Sequence, residues 1–119
     1  MIKKGKFFIK NLKNVIFLGE SDVFRDLIDI NNKKGIKSNI ITSPAQSKNI
    51  SVGLKFKKFA KIDSKFKKFI NSNFKIDETL FISMGSRWIF SGNMIKNFFK
   101  NNLINFHPTR LPQNSGATP

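Results

Sequence analysis

Apolar residues fall along this chain in two patterns. Four short stretches are continuous or nearly so: Val15-Ile16-Phe17-Leu18, Ile36 to Thr42, Leu80-Phe81-Ile82-Ser83-Met84 and the run that begins at Leu103-Ile104. Lys37 and Asn39 interrupt the second of them. Runs of this length, rich in β-branched and aromatic residues, predict strands covered on both faces. Between them apolar residues recur three and four apart. Val23, Phe24, Leu27 and Ile28 form one such set, Phe66, Phe69 and Ile70 a second, and Met94, Ile95, Phe98 and Phe99 a third. That spacing places each set on one side of a helix.

Punctuation between the elements agrees. Gly19 makes a turn, Ser21 is the expected N-cap of the first helix, and Glu20 and Asp22 suit its positive end. Gly35 ends that helix, so the chain opens as a βαβ unit. Ser43-Pro44-Ala45-Gln46-Ser47 is loop chemistry, Ile50 to Leu54 reads as a further short strand, and Asp63 or Ser64 caps the second helix. Asn101-Asn102 ends the third. The alternation predicts an α/β domain over residues 14–119, behind a basic lead-in at 1–13.

Composition narrows the function classes. The 119 residues are one domain or part of one. With no cysteine, a single histidine and seven carboxylates, neither a disulfide nor a protein-built metal site is expected. No apolar run approaches the ~18 residues of a membrane span. Residues 1–14 are basic but lack the apolar stretch of a signal peptide, so a cytoplasmic protein is expected. The formal net charge is +15, carried almost wholly by lysine alongside abundant Asn, Ile and Phe. Coding bias toward A and T produces that mixture without any polyanion partner. The other reading is a basic nucleic-acid-binding module. Lys55-Phe56-Lys57-Lys58-Phe59 recurs as Lys65-Phe66-Lys67-Lys68-Phe69, and cations interleaved with rings suit single-stranded bases. On a helix the same rings serve a core and the lysines a solvated face.

Chemistry concentrates near the end of the chain. Side chains alternate along a strand, so Asn105 and His107 share one side, ~6.6 Å apart, and Phe106 faces the core. Pro108 cannot donate to a sheet ladder and ends the strand. An amide and the chain's one imidazole thus stand together at the C-terminal end of a strand, where open α/β sheets bind ligands. A histidine there can equally be structural.

Asn105-x-His107-Pro108-Thr109-x-Leu111-Pro112, followed by Gly116-Ala117-Thr118-Pro119, resembles the signature of the folate-dependent formyltransferases that act on methionyl-tRNA, amino sugars and glycinamide ribonucleotide. Arg110 and Ser115 depart from the usual pattern, which has a leucine and a basic residue there. Phe17-Leu18-Gly19 loosely resembles the opening of the tRNA and sugar enzymes, and Gly19-Glu20-Ser21 is no dinucleotide fingerprint.

The resemblance implies a Rossmann-like open, mostly parallel sheet with helices on both faces. It also implies 10-formyltetrahydrofolate as formyl donor and, as acceptor, a nucleotide-linked amino sugar or an aminoacyl-tRNA. Asn105 would donate to the oxygen that becomes negative as the amine attacks, and His107 would move the proton. Arg87, Trp88, Ile89 and Phe90, with Thr109, Leu111 and Pro112, would line the folate pocket. Ordinary packing is the other reading of Trp88, Ile89 and Phe90. The family's catalytic Asp would lie beyond Pro119, so the chain is expected to be an N-terminal fragment, inactive alone and marginally stable.

Overall fold

Val15 to Gly19 are all buried, the burial of a strand at the centre of a sheet. The computed structural model describes Ile9 and residues 11–106. In it β1 (Asn14–Gly19) lies between β2 (Lys37–Thr42) and β4 (Thr79–Met84), with β3 (Lys57–Lys58) outside β2 and β5 (Leu103–Phe106) outside β4. Every pairing is parallel. The fold is α/β, as expected, with a Rossmann-like open sheet. The chain runs outward from β1 to β2 and β3, then returns to β4 on the other side of β1. That reversal is a topological switch point.

Alternation along β1 feeds two cores. Val15 and Phe17 join Ile40 and Phe24 of α1 (Phe24–Lys33) on one side of the sheet. On the other side, Ile16 and Leu18 join Ile41, Phe81 and Phe99, together with Phe66 and Ile70 of α2 (Ser64–Asn73). Helix α3 (Gly92–Asn97) lies on that second side through Met94. Its core is largely aromatic: Phe66 meets Phe59, Trp88 and Phe98 at ring separations of 5.4, 5.8 and 6.3 Å. Burying one such ring contributes about 1.5–3 kcal/mol.

Several local expectations need correction. Helix α1 begins at Phe24, after a turn in which the Ser21 hydroxyl accepts from the Val23 N–H at 3.2 Å. Val23 consequently precedes the helix and is 43% exposed. Residues 50–54 form no strand. Gly53, at φ +91°, turns the chain there, and Arg25 donates to the Val52 carbonyl. The fifth strand is instead the two-residue β3, inside the first Lys/Phe copy. Phe106 does not face a core and is 48% exposed. On its side of the sheet α1 covers β1 and β2, and no described helix covers β5.

Asp63 caps α2, its carboxylate accepting from the Lys65 and Phe66 N–H groups at 3.1 Å each. The Phe66 N–H bond is the main influence holding its pKa below the ordinary 3.8, with desolvation opposing it. A depressed carboxylate pKa stabilises the fold above the unfolded value, and that stability is lost as pH falls through the lower folded value. We expect Asp63→Asn to keep most of the cap at neutral pH and to flatten the loss of stability below about pH 4, where the parent's Asp63 contribution is lost. Thermal unfolding of both proteins between pH 3 and 7 measures this.

Two left-handed residues, Lys100 at φ 55° and Asn101 at φ 63°, turn the chain from α3 into β5. The wholly buried Asn102 then fixes the entry. Its Nδ2 donates to the Ile76 carbonyl at 3.1 Å, and its own carbonyl accepts from the Phe81 N–H at 2.8 Å.

Candidate functional site

The register fixes where the motif asparagine sits. Asn105 pairs with Ser83, and Ser83 with Leu18, so all three lie on the α2/α3 side of the sheet near its C-terminal edge. Asn105 is exposed. Ser83 beside it is wholly buried, and its hydroxyl has no hydrogen-bond partner among the described residues. Glu20 Oε1 and Thr42 Oγ1, near the same end of the sheet, are buried in the same way. His107, Thr109, Leu111 and Pro112, with the rest of the motif after Phe106, lie outside the described residues.

The loop after β4 packs on the same side of the sheet. Trp88 is anchored by its ring against Phe66 and by its indole N–H, which donates to the Ala60 carbonyl at 3.3 Å. The Phe90 ring lies 5.8 Å from Phe99. Both side chains belong to the packed core, whereas Arg87 is exposed and Ile89 is 88% exposed. Of the four loop residues expected at a pocket, two hold the loop down and two face solvent.

The backbone at the switch point is tightly closed. The Glu20 N–H donates to the Met84 carbonyl at 3.0 Å, which occupies the amide that a phosphate would need after β1. A Cβ placed on Gly19 would stand 2.2 Å from that same carbonyl oxygen. Gln46, on the loop after β2, reaches across this junction. Its Nε2 donates to the Gly85 carbonyl at 2.5 Å, and its Oε1 accepts from the Ser43 hydroxyl at 3.1 Å. Gln46 is buried and ties the loops after β2 and β4 together over the end of β1.

Sequence reasoning missed both Gln46 and Ser83. Ser83 had a partial signal, a hydroxyl within the apolar run Leu80 to Met84, but its place beside the motif asparagine comes from the register alone. Gln46 had none, since a glutamine in a Ser-Pro-Ala loop reads as solvated. Among the described residues no group of three His, Cys, Asp or Glu side chains could hold a metal, and no helix is long and apolar enough to cross a membrane. A hollow of about 830 Å³ between Asn11–Asn14 and Asn71–Lys75 lies at the opposite end of the sheet. Strand direction, and not size, decides between the two ends, because ligands of parallel sheets sit at the C-terminal one. Compared with known protein families, curated proteins and solved structures, the chain matches none of them.

Proposed function

We propose that this chain carries the Asn/His pair of a folate-dependent formyl-transfer site, moving a formyl group from 10-formyltetrahydrofolate to a primary amine. One observation supports the reading beyond the motif itself. Asn105 stands at the C-terminal edge of a parallel sheet, on the side where the 85–91 loop packs and next to a buried hydroxyl without a partner among the described residues. An amide there can donate to an oxygen that gains negative charge during attack, an interaction of the kind worth about 2.7–4 kcal/mol in acyl transfer.

The residues present suit a folate in chemical type. The bound donor supplies the formyl group in activated form. Exposed Ile89 offers apolar surface and exposed Arg87 offers a cation. His107 is assigned the proton. As the neutral amine attacks the formyl carbon, its nitrogen becomes cationic; an imidazole takes that proton and delivers it to the folate nitrogen that leaves as the tetrahedral intermediate collapses. Thr109, Leu111 and Pro112 are assigned to the donor by resemblance. The acceptor is a nucleotide-linked amino sugar or an aminoacyl-tRNA.

Equilibrium binding of 10-formyltetrahydrofolate, followed by mass analysis of each acceptor class after incubation, tests the assignment. Folate binding with a gain of one formyl group on one acceptor is the expected result. Absence of folate binding would overturn the proposal.

A further inference from the structure

The lysines between residues 55 and 75 are assigned no role in the proposed formyl transfer, yet their placement is specific. We propose that the surface made by β3 and the outer side of α2 binds single-stranded nucleic acid, with phosphates on its lysines and a base beside Phe56.

Charge is segregated on this fold. Residues 55–75 carry eight lysines and a single carboxylate, Asp63, which is engaged in capping α2. Residues 20–29 hold four of the chain's seven carboxylates. Coding bias raises lysine everywhere, but it does not clear one face of acids. Lys55, Lys57, Lys58, Lys61, Lys65 and Lys68 are all exposed.

Packing brings the two Lys/Phe copies to one surface. Phe59, from the first copy, lies 5.4 Å from Phe66 and 5.6 Å from Phe69 of the second. The Lys57 ammonium sits 5.3 Å over the Phe69 ring. Most of these rings are therefore core, and Phe66 is fully buried. Phe56 is the exception, 38% exposed beside a groove of about 400 Å³. Ser38, Asn39, Lys55, Phe56, Lys57 and Phe69 line that groove. An exposed ring in a groove lined by Lys55 and Lys57 and by the exposed Asn39 suits a stacked base with its phosphates neutralised nearby.

The same features argue against other anionic partners. A membrane surface calls for apolar side chains projecting beyond a basic rim. Among the described residues, the other large apolar side chains that are exposed (Val23, Ile30, Val52, Ile89 and Phe106) belong to other segments of the fold. The lysines of an edge strand also disfavour addition of a further strand by a peptide.

Fluorescence anisotropy with a labelled mixed-sequence RNA 12-mer, titrated at several salt concentrations, tests the surface without reference to folate or transfer. Removing three cations with Lys55→Ala, Lys57→Ala and Lys58→Ala should weaken binding by about tenfold or more and lower the log–log salt slope by about 2. Phe56→Ala should cost about tenfold with the slope unchanged. A control that removes equal charge elsewhere, Lys33→Ala with Lys34→Ala and Lys96→Ala, should change affinity less than about twofold. Equal losses from both triple variants would overturn the proposal, as would absence of binding. Equal affinity for the matching duplex, or tighter binding to phosphatidylserine vesicles than to the RNA, would overturn it too.

Discussion

Asn105→Ala and His107→Ala are each expected to lower formyl transfer by roughly 10²- to 10³-fold while leaving folate affinity nearly unchanged. The reason is when each group acts. Asn105 is assigned to an oxygen that becomes negative, and His107 to a proton that moves, only as the amine attacks. Interactions made only in the transition state appear in turnover and not in ground-state binding. Asn105 is also exposed at the end of an edge strand, so truncating it removes no core packing and the fold should survive. Two groups that serve one developing charge act as a unit. The double variant should therefore cost much less than the product of the single losses.

Loop variants supply the contrast. Ile89, 88% exposed, can be cut to alanine without disturbing the core, so Ile89→Ala should weaken folate binding and leave stability unchanged. Trp88 and Phe90 are poorer probes, because both pack against the aromatic core. Their truncation costs up to about 3–5 kcal/mol of stability where such a ring is fully buried. Transfer rate and folate affinity, measured for each variant, separate these effects. Near-normal turnover by His107→Ala would place the chemistry elsewhere.

The sheet and helices were readable because each has a period. Continuous apolar runs gave four strands, and three-and-four spacing gave three helices, with Asp63 a visible cap. Strand β3 was unreadable: two exposed lysines have neither apolar content nor alternation, and pairing with β2 alone makes them a strand. Phe106 shows a different limit. Alternation says which side a residue faces, but not whether anything covers that side. The same holds at the candidate site, where spacing put Asn105 at a strand end. Only the register across β4 and β1 brought Ser83 beside it, and only the fold carried Gln46 from the loop after β2 to Gly85.

The closed junction beneath that site leads to the largest expected effect on stability. Gly19→Ala should destabilise the fold by roughly 3–5 kcal/mol, against a total of about 5–15 kcal/mol for a domain of this size. Gly19 has φ +110°, a conformation that side-chain-bearing residues rarely adopt. An added Cβ would also stand 2.2 Å from the Met84 carbonyl oxygen, 2.7 Å from the Ser86 nitrogen and 2.9 Å from the Ser86 Cα. All three are backbone atoms, so no rotamer change relieves the clash. The ends of β1 and β4 would have to part, breaking the bond from the Glu20 N–H to the Met84 carbonyl and shifting the loop that leads to Trp88. Two other glycines isolate the cause. Gly35 has φ +75° with nothing within 4 Å of an added Cβ, so Gly35→Ala should cost only the strain of about 1–2 kcal/mol. Gly92 is the first residue of α3 and has open space around it, so Gly92→Ala should be neutral or stabilising by up to about 1 kcal/mol. Urea unfolding of the three variants beside the parent gives the order directly. A Gly19→Ala protein no less stable than Gly35→Ala would mean that β1 and β4 do not meet this closely, and the geometry beside Asn105 would fall with them.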